Sequence, residues 1–322
     1  MTCSHCECEN IKKHGKDRDG NQRYRCCECG KTFIVKPASP IGSMRIDFDK
    51  AAFALRLLLE GMSIRATERM TGLHRDTLCD LVLTAGENCA AFFKARVRNV
   101  EAADVQCDEL WSFTACKEKT RVLRGYGEDH GDCYTYIGVD RESKLILAYH
   151  VGRRTFEDAD TFAMNLRRAI TGRPQVSTDG FGPYRTVIPV AFRWNVDQGQ
   201  LIKKFGPTAN GVSAQTRYSP APIVGIEKKA ICGNPDMAHV CTSHVERMNL
   251  SVRMEIRRFT RLTNGFSKSR RHHEAMLALF FAHFNFCRRH SAVKTTPAVA
   301  AELASEPWSI ERLLTEAATV SV

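Results

Sequence analysis

The 322 residues, 43% of them hydrophobic, suffice for a substantial core and one to three domains. Against 36 Asp and Glu stand 47 Lys and Arg, a formal charge of +11 that favours a polyanionic partner without separating DNA from RNA or acidic membrane. No apolar run approaches the roughly 20 residues needed to span a bilayer, and the opening MTCSHCECEN has neither the basic head nor the apolar stretch of a signal peptide, so we expect a cytoplasmic protein with no membrane partner.

Six of the 14 cysteines fall in the first thirty residues and the other eight are scattered. In a reducing compartment such a local cluster points to metal rather than to disulfides. Cys3-x-x-Cys6 and Cys26-x-x-Cys29 together offer the four thiolates of a tetrahedral zinc site, with Cys8 and Cys27 as neighbours able to replace a member of the set. We expect a zinc ribbon over 1–36, holding one structural Zn2+, with Arg23, Tyr24, Arg25 and Lys31 around it as groups suited to nucleic acid. The Pro/Gly/Ser stretch KPASPIGS then reads as a linker.

Residues 45–86 read as an all-α unit of three short helices, each closed by a glycine. SIRATERM, the turn TGL and HRDTLCDLVL fit a helix-turn-helix, in which His74, Arg75 and Thr77 would lie where base contacts are usually made. A charged helical connector is expected over 87–103.

The period then changes. VQCDELWSF (105–113), YTYIGVD (134–140) and KLILAYHV (144–151) read as strands, FEDADTFAMNLRRAI (156–170) as a helix and QVSTD (175–179) as a further strand, which together predict a mixed α/β sheet. Residues 195–240 lack clear periodicity and read as an irregular insertion, in which Lys203, Lys204, Lys228 and Lys229 either grip DNA or solubilise a loop. Helices are expected from about Thr242 past Arg258 and over about 272–290.

Three acids stand in three different contexts: Asp108 inside a strand, Asp179 at a strand's end, and Glu246 on a helix that carries Arg253 seven residues on, on the same face. Taken singly, each has a local explanation in a cap, a turn or an ion pair. Together they can converge on a pair of divalent ions about 4 Å apart, the arrangement that serves phosphodiester chemistry. Glu109, expected on the opposite face of the strand, and Asp140 are second-choice ligands.

Across nearly its whole length the chain resembles the DDE transposases of bacterial insertion sequences, and among them the insertion-sequence-one family. The resemblance is carried by QRYRCCECGKTF, CDELWSF, STDGFGPY, RYSPAPIVGIEKKAICGNPD, HVERMNLSVRMEIRRFTRLTNGFSKS, TPAVAA and WSIERLL. It implies a ribonuclease H-like catalytic domain over 104–290 and a C-terminal helical tail over 291–322. Asp108, Asp179 and Glu246 would be the triad holding two Mg2+ or Mn2+ ions, and Arg253 its basic partner. Arg257, Arg258, Lys268, Arg270 and Arg271 would contact DNA phosphates. The 67-residue interval between Asp179 and Glu246 is longer than in the short members and holds the 195–240 segment. The implied activity is metal-dependent cleavage and strand transfer of double-stranded DNA at terminal inverted repeats, by at least a dimer associated with a bacterial or archaeal nucleoid. The rival expectations are a catalytically inert or domesticated DNA-binding regulator, and a nuclease that cuts without joining.

Overall fold

The computed structural model describes residues 1–18, 20–34, 39–206 and 221–320. Three short antiparallel strands, β1 (Ile11–Lys16), β2 (Gln22–Cys26) and β3 (Thr32–Ile34), form a small sheet with its own minimal core of Cys3, Cys26 and Phe33. So few buried side chains cannot hold a fold unaided, and a module of this size ordinarily depends on a metal or another staple.

Three helices follow: α1 (Phe48–Leu59), α2 (Ile64–Thr71) and α3 (Arg75–Arg96). Their starts are set by side-chain caps. Asp47 accepts from the Lys50 amide, Ser63 from Ala66, and His74 from Asp76. Gly72, left-handed at φ 69°, closes α2 and produces the tight turn into α3.

The expected stop at Gly86 does not occur, and the connector expected over 87–103 begins as the second half of α3. Gly86 is there for packing, because a Cβ at this position would stand 2.2 Å from the carbonyl oxygen of Ala275. Ala275 lies on α8 (Arg270–Phe286), so the glycine permits two helices to cross at close range.

Between α3 and α8 the chain builds a mixed sheet. β4 (Val100–Glu101) is short and pairs with β8 (Ile170–Thr171); β5 (Asp104–Thr114), β6 (Gly131–Asp140) and β7 (Ile146–Gly152) form an antiparallel meander. The helix α4 (Glu118–Arg124) interrupts β5 and β6, and α5 (Phe156–Ala169) returns the chain to β9 (Gln175–Thr178), which lies parallel to β5 on the side away from β6. After α6 (Tyr184–Ala191) comes β10 (Asp197–Phe205), parallel to β9, and then β11 (Ile223–Cys232), antiparallel to β10. The order across the sheet is β11-β10-β9-β5-β6-β7. A meander of three strands followed by two parallel ones on the far side of the first is compatible with the ribonuclease H-like domain expected.

The segment 195–240 therefore is not an irregular insertion: it supplies two strands of the main sheet. Its lysines are engaged too. Lys203 pairs with Glu246, Lys204 and Lys229 with Glu227, and Lys228 donates to the carbonyls of Met237 and Ala238. The part of this segment over 207–220, with the first residues of RYSPAPIVGIEKKAICGNPD, lies outside the described residues.

The chain ends with α7 (Ser243–Glu255), a 3-10 turn over Arg257–Phe259, α8, α9 (Pro297–Ala300) and α10 (Ile310–Val320). One continuous core runs from Ile41 to Ala317 and takes in α1, α3, the sheet, α8 and α10. No helix among the described residues is long and apolar enough to cross a membrane.

Candidate metal centres and nucleic-acid interface

In the N-terminal module, Cys3, Cys6, Cys26 and Cys29 bring their sulfurs within 4.8 Å of one another, whereas Cys8 and Cys27 stand outside the set. The closest approaches are 3.7 Å between Cys3 and Cys29 and 3.5 Å between Cys6 and Cys26. The Cys29 amide points at the Cys26 sulfur, and this, against the opposing effect of burial, lowers the Cys26 thiol to about 6. Cys6 moves the other way: against the lowering effect of the Cys8 backbone, its contacts with Cys26 and Cys29 push it up to about 12, so the fit to Zn2+ rests on four sulfurs at these separations.

The acidic site forms where the ladder between β5 and β9 ends. Pairing runs from Asp104 opposite Gln175 to Cys107 opposite Thr178 and stops there, so Asp108 and Asp179 are the first residues of the two diverging chains. Gln106 and Asp108 of β5 face α7. Gln106 accepts from the His244 amide, and Asp108 accepts from the Asn249 side chain at 2.8 Å and from the Glu109 amide at 2.8 Å. Asp179 accepts from the Phe181 amide at 3.0 Å and stands 3.6 Å from the Arg154 guanidinium.

Glu109 corrects an expectation. Strand alternation does send it to the other face, towards Tyr184, yet its longer side chain brings its carboxylate within 4.8 Å of those of Asp108 and Asp179 across the gap that β9 leaves. Its side chain is 2% exposed, and Arg154 holds one oxygen, Oε2, through Nε and Nη2, each at 3.1 Å. Asp140 serves a turn instead, accepting from the Ser143 amide and hydroxyl.

Glu246 projects from the first turn of α7 at the border of this cluster, not inside it. It is paired with Lys203 of β10 and accepts from the Thr242 hydroxyl at 2.6 Å. Arg253, also on α7, is half-buried, and its guanidinium has no carboxylate partner among the described residues. Burial first, then the neighbouring Arg261, lowers it to about 10, against the pull of Asp108.

The electrostatics are those of an under-neutralised acidic cleft. Burial, and then Asp179, push Asp108 up to about 7; burial and Asp179 push Glu109 up to about 8; Asp179 is itself raised, first by burial. Oxygen donors that destabilise one another when ionised match a hard divalent cation such as Mg2+ or Mn2+.

Four contributors went unranked or under-ranked in the sequence. Glu109 was masked by alternation, and Arg154 and Lys203 reach the site only through tertiary folding. Asn249 did leave a signal, since it follows Glu246 by three residues and a helix stacks such pairs on one face.

The residues expected at DNA divide into two groups. His74 and Arg75 are exposed at the start of α3, with Thr77 half-buried behind them. Arg257 is exposed, Lys268 is exposed over the Phe266 ring, and Arg271 is exposed beside Glu87. Arg258 and Arg270, by contrast, are turned to the protein: Arg258 donates to the His272 carbonyl at 2.8 Å, and Arg270 to the Val151 carbonyl at 2.6 Å and to Glu274. Arg65, Arg75, Arg257, Arg258 and Lys268 line one cavity of about 770 Å3 between α2–α3 and the start of α8.

These features define a mixed α/β protein with a carboxylate cluster at a strand fork and a separate four-cysteine module. No family model and no curated protein matches the chain. Among solved structures it is similar to a piggyBac transposase in a synaptic complex with hairpin DNA, with a TM-score of 0.42 and 11% identity over 88% of this chain and 72% of that one.

Proposed function

We propose that this chain is a DDE transposase of the insertion-sequence-one type, which binds the terminal inverted repeats of its element and cuts and joins DNA there. The observation that carries the reading is the convergence of Asp108 and Asp179 where β5 and β9 part, with Glu246 at the border. Asp108, Asp179 and Glu246 would hold two Mg2+ or Mn2+ ions. When bound, such ions supply charge stabilisation to the attacking and leaving oxygens of a phosphodiester displacement.

The protein's own groups have separate tasks. Asn249 orients Asp108, the Phe181 amide orients Asp179, and Lys203 holds Glu246. Arg253 is a cation without a carboxylate partner beside the acids, suited to a scissile phosphate. His74, Arg75 and Thr77 would read base edges, while Arg257, Lys268 and Arg271 would position the backbone and carry little sequence information. The zinc ribbon would add a second DNA contact. Two element ends must meet, so at least a dimer is required.

The test is nicking and strand transfer by the purified chain on duplexes bearing the ends of its element, with Mg2+ or Mn2+. Asp108→Asn, Asp179→Asn and Glu246→Gln are each expected to lower both reactions by at least about 10³-fold while leaving end binding intact, since each removes charge stabilisation at the reacting phosphate. Wild-type binding without cleavage would overturn the reading in favour of a regulator. Cleavage without joining would favour a nuclease.

A further inference from the structure

We infer that Glu109 is the third carboxylate of the cation site that exists before DNA binds, and that Glu246 does not belong to that site until DNA arrives. This rests on the metal-dependent reading above and changes which residues first capture the ion.

Three observations carry it. One carboxylate oxygen from each of Asp108, Glu109 and Asp179 lies within 4.8 Å of the other two, and Glu246 is not in that group. Glu109 is 2% exposed, and Arg154 contacts only its Oε2, which leaves Oε1 buried with no hydrogen-bond partner among the described residues. The Tyr184 hydroxyl lies close enough to favour the ionised carboxylate, but neither it nor Oε1 has a partner at hydrogen-bond distance and angle among the described residues. An orphaned, buried carboxylate oxygen is costly to keep, and a cation shared with Asp108 and Asp179 would satisfy it.

Glu246, meanwhile, has its Oε1 committed to Lys203 and Thr242. Lys203 gives this carboxylate the positive charge that an ion would otherwise supply. Glu246 stands outside the 4.8 Å group, so to become a ligand its carboxylate must move towards the other acids; a DNA phosphate that drew Lys203 away would release the oxygen that holds it in place.

The purely structural alternative is that Glu109 only anchors Arg154, which also stacks 4.5 Å over the Phe181 ring. Direct ion binding separates the two. Mn2+ is titrated into the DNA-free full chain, and bound ion is counted from the loss of the free-ion paramagnetic resonance signal. Glu109→Gln is expected to weaken Mn2+ binding at least about tenfold, the lower end of what loss of even an outer-shell partner costs. Asp108→Asn and Asp179→Asn should do the same, and Glu246→Gln should change it less than about twofold. Arg154→Gln, which frees Oε2, should not weaken binding.

As a second readout, Fe2+ with ascorbate and peroxide should cut the backbone at 108–109 and near 179, and Glu109→Gln should abolish those cuts while thermal melting shows the variant folded. Mn2+ affinity unchanged in Glu109→Gln, with Asp108→Asn and Asp179→Asn weakened, overturns this inference alone. So does a Glu246→Gln loss as large as theirs. A wild-type chain that binds no Mn2+ overturns the metal reading as well.

Discussion

Asp108 and Glu109 are ionisable groups that folding removes from water without giving each a full counter-charge. Arg154 is shared between Glu109 and Asp179, and the nearest lysine is taken by Glu246. The consequence is a stability term with a definite sign. A carboxyl whose folded pKa is raised keeps its proton longer in the native state, so the unfolded chain releases protons first as pH rises. For Asp108 the penalty is absent below its ordinary value of 3.8, grows as pH rises, and levels off above about 7. In metal-free protein, Asp108→Asn is therefore expected to raise the melting temperature by a few degrees at about pH 8, with the gain shrinking towards pH 4. This corresponds to ~1 kcal/mol or more. Melts across that range check it, and a gain that stayed constant with pH would remove the buried charge of Asp108, and its repulsion by Asp179, as the cause. A bound divalent ion should erase the difference by stabilising the wild type.

At the scale of elements, the crossing of α3 over α8 turns on one missing methyl group. Gly86→Ala would drive a Cβ into the backbone of Ala275, which is a contact that no rotamer change relieves. We expect a loss of about 1–3 kcal/mol, read as a lower denaturant midpoint with unchanged slope. The same glycine explains one limit of the sequence: inside a helical pattern it imitates a stop, because propensity reports on an isolated helix and not on its neighbour. β5, β6, β7, α5 and β9 were legible because their apolar residues keep a clear period. β10 was not, since its buried positions include Gln198 and Gln200, which reach the carbonyls of Tyr184 and Phe181 and so break the apolar pattern. α6 was hidden by an interior proline, Pro189. At the site, Asp108, Asp179 and Glu246 could be named because each stands out in its local context. The proximity of Glu109 could not, because it depends on where the β5–β9 ladder ends.

At the scale of the molecule, the helices α1 to α3 and the sheet that carries the acids share one core. α3 has 22 residues, a length of about 33 Å at 1.5 Å per residue. Its first turn carries His74 and Arg75, while its later turns pack against α8 and α10. α8 in turn is fixed to the sheet by Asn285, whose side-chain amide exchanges hydrogen bonds with the Ile146 backbone at 3.0 and 2.9 Å. Arg56 of α1 pairs with Glu311 of α10, so the first helix is tied to the last. The boundary expected at residue 86 therefore cuts through a single core, leaving Leu55, Leu78 and Leu81, which are all fully buried, with much of their covering removed. A fragment limited to 45–86 loses the partners of α1 and α3, and helices of this length are marginal in water without them. We expect that fragment to lack a cooperative thermal transition and to have weak helical circular dichroism, whereas the chain from 39 to 320 should melt as one unit. Should 45–86 fold and melt cooperatively alone, the helix-turn-helix would be an autonomous module. The distance from the start of α3 to the acids would then be set by a linker, and not by the helix itself.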